Sequence, residues 1–193
     1  MGKYVVPVVI ERDASGMERA YDIYSRLLRD RIVFLQDTID TNNANSIIAQ
    51  LLFLQASDPS ADIKLYINSD GGSVYDGMAI VDTMNHLSCD VSTIALGRAA
   101  SMASIILSAG TKGKRYVLPN ASVLMHQPHG TNKGQASDIE IHAREILRIR
   151  DVLAEILSKN TGQEKSKILK DIDRDFIMTP QQSLDYGIID KIL

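Results

Sequence analysis

Tryptophan is absent from this 193-residue chain, cysteine occurs once, at Cys89, and only 5% of the residues are aromatic. A lone cysteine forbids an intramolecular disulfide and a cysteine-built zinc site. So few thiols fit a reducing compartment, and a cytoplasmic location is expected. A basic surplus is also missing, because 21 Lys and Arg against 24 Asp and Glu leave a net charge of −3. A nucleic-acid binder would need a basic footprint, so nucleic acid is not an expected partner. Long hydrophobic runs are lacking too. The best stretch, Ala99–Ala109, is far shorter than the roughly 20 residues that span a bilayer. The opening MGKYVVPVVI is broken by Pro7 and too weak for a signal-peptide core. Gly2 lacks the Ser or Thr that N-myristoylation wants at position 6, which is Val6. No membrane contact is expected. The four histidines show no metal-ligand spacing, and Gly71-Gly72 belongs to neither a dinucleotide fingerprint nor a P-loop. No metal and no cofactor are therefore expected.

What is present is ordinary globular chemistry, 45% apolar and 23% charged residues. A chain of this length buries roughly 70% of its unfolded surface. Residues 1–20 read as a flexible arm, in which VVPVVIE has strand character and RDASGMER is turn-like. Beyond them strand and helix patterns alternate. Strands are predicted at Arg31–Leu35, Asp62–Asn68, Val91–Leu96, Arg115–Leu118 and Ser122–His126. Helices are predicted at Asn42–Ser57, Tyr75–Leu87, Ser101–Ala109 and Ala136–Lys159. SDGGS reads as a sharp turn after its strand, and Lys112, Lys114 and Arg115 as a solvated turn. Thr179-Pro180 carries a cap followed by proline at the first helical position, the start of a last short helix. This alternation predicts an α/β fold with a mostly parallel sheet.

The helix over 136–159 is unusual. Ile139, Ile141, Ala143, Ile146, Leu147, Ile149, Val152, Leu153, Ile156 and Leu157 spread over an arc of about 240°, where one core asks for about 100°. Such a helix is either sunk in its own domain or packs on its own core and on a neighbouring subunit. Its length, about 36 Å, favours the second.

Taken singly, the residues that could do chemistry have bland readings as well. Ser101, in GRAASMAS, sits where a helix begins; a serine there commonly caps the helix. The same position would place its oxygen near free N–H groups, so that the Met102 N–H could face an oxyanion. His126 ends a strand before a loop, where α/β enzymes often place catalytic groups. His129 follows in that loop, His142 lies on the long helix and His86 closes an amphipathic helix. Gly71-Gly72 allows a close backbone approach, and Gly72 could offer a second oxyanion N–H. Asp171, Asp173 and Asp175, with Lys170 and Arg174, look like a solvated loop, yet any of the three acids could orient a histidine.

Together these residues give the chain order Ser, His, Asp, and the sequence resembles ClpP, the family of proteolytic subunits of ATP-dependent Clp proteases, over almost its whole length. The matching segments are YDIYSRLL at 21–28, LYINSDGGSVYDGMAI at 65–80, GRAASMAS at 97–104, LMHQPHG at 124–130, GQASDIEIHAREIL at 134–147 and DRDFIM at 173–178. The resemblance implies a crotonase-like ββα superhelix for residues 21–193, with a projecting handle at about 127–160. It implies Ser101 as nucleophile, His126 as general base and Asp175 as orienting acid. It implies the backbone N–H groups of Gly72 and Met102 as oxyanion donors, and Gly71-Gly72 as the strand that pairs the substrate. It places Asp173 and Arg174 at a ring–ring contact and Lys64 and Tyr66 at a docking surface. The family's subunits form two stacked seven-membered rings that hydrolyse unfolded polypeptides fed by an AAA+ unfoldase through pores lined by the N-terminal arm. ATP is then used by the unfoldase alone.

Two residues depart from the family pattern. Asp70 stands where SPGG has proline, which frees the loop and puts a carboxylate beside the substrate strand. Lys64 stands where relatives often carry an aromatic. These departures motivate an alternative, a weakly active structural or regulatory subunit working in rings with a second homologue.

Overall fold

The computed structural model describes residues 5–12, 15–130 and 133–193. Gly2, and Asp13 and Ala14 within the N-terminal arm, lie outside the described residues. Strands β1 (Val8–Arg12) and β2 (Glu18–Asp22) pair antiparallel in the stretch read as an arm. An Arg26–Glu11 ion pair joins this hairpin to helix α1 (Ile23–Arg29), which the sequence reading left unassigned. Asp22 caps α1 by accepting from Ser25 N.

Among the described residues the main sheet has seven strands. Strand β3 (Ile32–Ile39) leads to helix α2 (Thr41–Ser57), β4 (Ile63–Gly72) to α3 (Val74–His86), and β5 (Val91–Ala100) to α4 (Met102–Ser108). There follow β6 (Arg115–Val117), β7 (Ser122–Met125), the long helix α5 (Ala136–Thr161), α6 (Lys165–Asp171), β8 (Phe176–Met178), α7 (Pro180–Tyr186) and β9 (Lys191–Ile192). The order β3-β4-β5-β6-β9 is parallel throughout; β7 also pairs parallel with β5, and β8 pairs antiparallel with β7. This is the mixed α/β, mostly parallel architecture predicted. Strand β4 alternates buried Ile63, Leu65 and Ile67 with more exposed neighbours. Ile47, Leu51, Ile80, Ile106 and Leu107 from the helices join these residues in one continuous core.

Two readings need correction. SDGGS is not a turn detached from its strand, because β4 stays paired with β3 through Thr38↔Gly71 and Ile39↔Gly72. A bulge at Asp37, whose φ is 60°, lets the ladder continue past the irregular stretch. Arg115 does not belong to a solvated turn. Its guanidinium is 4% exposed and bonds Asp190 through Nε (2.9 Å) and Nη2 (2.6 Å). Strand β6 carries it inward, where the carboxylate makes its burial affordable. Of the two alternatives for α5, burial within its own domain does not hold. Only Leu153, Ala154 and Leu157 are buried, while Ile139, Ile141 and Leu147 near its start are 43%, 62% and 53% exposed. The helix runs two residues past the predicted Lys159 to Thr161 and is closed by Gly162 in the left-handed conformation. The Thr179-Pro180 signature also holds, with a full capping box to Gln182.

No helix among the described residues is long and apolar enough to cross a membrane.

Candidate active site

Strand β5 is long enough to serve two partners. Its middle pairs with β6 (Thr93↔Arg115 to Ala95↔Val117) and its end with β7 (Arg98↔Ser122 to Ala100↔Leu124). That second register decides what lies beside Ser101. The Ser101 N–H donates to the Leu124 carbonyl at 2.9 Å, so a strand continuing two residues past Leu124 brings His126 alongside. Ser101 itself turns sharply into α4, with φ 53° and ψ −125°. A side-chain-bearing residue at positive φ is uncommon and costs on the order of 1–3 kcal/mol. The turn holds because everything around it is fixed. The Ser101 carbonyl accepts from Ser104 N (3.0 Å) and Ser104 Oγ (2.7 Å), and all of α4 is buried.

The bland reading of Ser101 as a helix cap does not apply, since its hydroxyl makes no capping bond. The oxygen lies instead 2.8 Å from His126 Nε2. On the other side of the ring, Nδ1 lies 3.0 Å from Asp175 Oδ1. Strand β8 explains this second contact. Val123↔Met178, Leu124↔Ile177 and Met125↔Phe176 are antiparallel partners, and one step further the same register sets Asp175 opposite His126. Of the three acids near the C-terminus, only Asp175 reaches the imidazole. Asp171 pairs with Lys167 at 2.6 Å, and Asp173 Oδ1 accepts from Gln127 Nε2 at 3.3 Å. The His126 side chain is 23% exposed and that of Asp175 65%.

Gly71 and Gly72 close the other side of the site. On the β5 side, the β4 ladder ends at Ser69↔Ala99, so the two glycines keep that edge open toward Ser101. Gly71 has φ 93°, and a Cβ there would stand 2.7 Å from Ser101 Cβ and 2.9 Å from Met102 N. Only glycine permits this approach to the Ser101–Met102 peptide. Ser69 fixes the segment by donating to the Asp37 carbonyl and accepting from Gly71 N at 3.0 Å. Asp70 points to solvent, 3.0 Å from Arg98 in an exposed ion pair.

The cleft bounded by His126, Gln127, His129, Asp173, Arg174 and Asp175 has a volume of about 550 Å³. His129, previously one histidine among four, packs its ring edge-on against His126 at 5.3 Å. Gln127 was missed in the sequence. Its N–H donates to the Ile172 carbonyl (2.7 Å) and its amide to the Asp173 carbonyl (3.1 Å), holding the acid-bearing segment to the strand end. His86 closes α3 and His142 is exposed on α5; neither joins the site. Arg174 is exposed beside Asp175. Lys64 and Tyr66 lie near the other end of β4, with Lys64 exposed and Tyr66 stacked on Phe34 at 5.7 Å. No cluster of metal-ligating side chains occurs among the described residues.

Hydroxyl, imidazole and carboxylate thus stand in line, beside an open strand edge and a helix N-terminus. A proton can pass from the serine to Nε2 while the carboxylate holds Nδ1–H and its ring orientation. The sequence model of the Clp protease family matches residues 15–193, a span that contains all three groups.

Proposed function

The chain belongs to the Clp protease family, and we propose on that premise that it is a serine endopeptidase of unfolded polypeptides. The observation that carries this reading is the bridging imidazole, 2.8 Å from Ser101 Oγ and 3.0 Å from Asp175 Oδ1. Ser101 attacks the scissile carbonyl as its proton passes to His126 Nε2. The Met102 and Gly72 N–H groups receive the oxyanion, each worth about 3–4 kcal/mol. Imidazolium returns the proton to the leaving amine, and water then hydrolyses the acyl-enzyme through the same base. Asp175 fixes the tautomer and stabilises the imidazolium. The extended substrate lies along the open Gly71-Gly72 edge.

Family membership extends the proposal to an assembly of two stacked seven-membered rings in the cytoplasm, fed by an AAA+ unfoldase that alone consumes ATP. Helix α5 is the handle in this reading, and Ile139, Ile141 and Leu147 are the side chains it would bury against other subunits. Asp173 and Arg174 reach the opposite ring, residues 1–20 line the axial pore, and Lys64 and Tyr66 belong to the docking surface for the unfoldase.

The test is peptide hydrolysis and degradation of an unfolded protein, with and without a Clp unfoldase, alongside the sedimentation coefficient of the particle. Ser101→Ala should abolish both activities and leave the particle intact. Near wild-type peptidase activity in that variant would refute the mechanism, and a monomeric active wild type would refute the chamber.

A further inference from the structure

The Asp175 carboxylate has one hydrogen-bond partner among the described residues, His126, and is mostly exposed. Its own bonds therefore cannot fix where it sits. The segment around it, however, meets a single buried side chain at both ends. Tyr186, 7% exposed on the last turn of α7, donates its hydroxyl to Asp171 Oδ2 at 2.7 Å, four residues before Asp175. The same ring packs on Phe176, immediately after Asp175, with centroids 5.5 Å apart. Lys167 closes the group, with Nζ 4.1 Å from the centre of the Tyr186 ring and 2.6 Å from Asp171 Oδ2.

Tyr186 is held in turn. Its carbonyl accepts from Gln163 Nε2 at 3.0 Å, and the capping box fixes the far end of α7. Burial and the neighbouring Asp171 carboxylate both push the Tyr186 hydroxyl above its ordinary range, so it stays a donor. A neutral hydroxyl on a carboxylate is a charge-assisted bond, and such bonds are the stronger and more directional kind.

We infer that Tyr186 is a positioning residue for the catalytic acid: it clamps residues 171–176 from behind and so sets the distance from Asp175 to His126. The inference rests on the triad reading above. Two contacts carry it, and each can be removed separately. Tyr186→Phe loses the bond to Asp171 and keeps the ring on Phe176. Tyr186→Leu loses both contacts. A misplacement of about 1 Å can cost on the order of a hundredfold in rate.

The experiment uses the full-length assembled particle, a fluorogenic peptide, and the rate at which a fluorophosphonate labels Ser101, followed by intact mass. Tyr186→Phe should lower kcat and the labelling rate roughly tenfold with KM unchanged, and Tyr186→Leu should lower them further. Because Tyr186 acts through Asp175, adding Tyr186→Phe to Asp175→Ala should slow labelling no further than Asp175→Ala alone. Multiplying effects in the double variant would overturn the inference, as would an unchanged kcat in Tyr186→Phe. If Asp175→Ala itself labels at the wild-type rate, the triad reading fails first, and that result is separable from the Tyr186 arms. Should Tyr186→Leu fail to assemble, Tyr186→Phe and the double variant still decide the matter.

Discussion

Two aspartates stand at the same kind of place in this fold, each one residue before a short strand of the main sheet. Asp190 precedes β9 and Asp175 precedes β8. Asp190 is 18% exposed and accepts from Gly113 N (2.8 Å), Arg115 N (3.0 Å), Arg115 Nε (2.9 Å) and Arg115 Nη2 (2.6 Å). Asp175 is 65% exposed and meets only His126 among the described residues. A carboxylate with its lone pairs committed to fixed donors is a rivet. One with lone pairs to spare can follow an imidazole through a change of charge, and its place must be set by its neighbours. The difference separates framework from chemistry, and it can be broken from either side.

The largest effect should come from the chemical side. Asp175→Ala should lower peptidase kcat by three to four orders of magnitude, since the triad acts as a unit. Thermal unfolding should shift by no more than a few degrees, because an exposed carboxylate with one partner carries little stability. A stability loss as large as the activity loss would make Asp175 a second rivet.

Asp190→Ala should do the reverse. Removing one member of a buried pair leaves the Arg115 guanidinium uncompensated, at a cost of about 3 kcal/mol. The activity of particles that remain folded should be unchanged. Burial raises the Asp190 carboxyl, but the Arg115 side-chain and backbone donors outweigh burial and hold it below the ordinary carboxylate range. The folded state therefore binds this proton less readily than the unfolded chain. The stability Asp190 supplies is complete above about pH 4 and is lost as pH falls through the lowered value. Unfolding midpoints of wild type and Asp190→Asn should converge on acidification; a gap that widens would contradict the sign.

An intermediate effect is expected at Arg174, exposed next to Asp175 and without an ion pair among the described residues. If Arg174 bonds across the rings, Arg174→Ala should shift sedimentation toward single rings and cost about tenfold in activity in parallel. Fully active single rings, or intact double rings with full activity, would return Arg174 to the solvated surface.

The smallest effect should be at Lys64, at the opposite end of β4 from Gly71-Gly72. A lysine head must stay solvated and charges an apolar pocket. Lys64→Tyr should tighten unfoldase binding a few-fold in a titration, about 1 kcal/mol, and leave kcat for peptides untouched. Weaker binding would show that the lysine stem forms part of the site.

The same contrast explains what could be read from the sequence. Helices α2, α3 and α5 were legible because Ile47, Leu51 and Leu54, then Ile80 and Met84, then Leu153 and Leu157 recur at helical spacing, and the core of β4 because Ile63, Leu65 and Ile67 alternate. Ser101 and His126 were legible as candidates through their positions at a helix start and a strand end. Asp175 could not be chosen over Asp171 and Asp173 on residue pattern alone. The choice is made by β8, three residues whose antiparallel register against β7 has no periodicity to betray it. The resemblance to the ClpP family supplied what the pattern could not. Gly71-Gly72 misled as a turn because glycines usually end strands, and here they keep one edge paired while the other stays open. Arg115 misled because its partner lies 75 positions away.

The central claim is that Ser101 is a nucleophile activated by His126 and Asp175. Its most direct test is intact-mass analysis after exposure to a fluorophosphonate. The account predicts one adduct per chain, mapped to Ser101, absent in Ser101→Ala and formed far more slowly in His126→Ala and Asp175→Ala. An adduct on another residue, one that persists in Ser101→Ala, or one that forms at the same rate without His126 would contradict it.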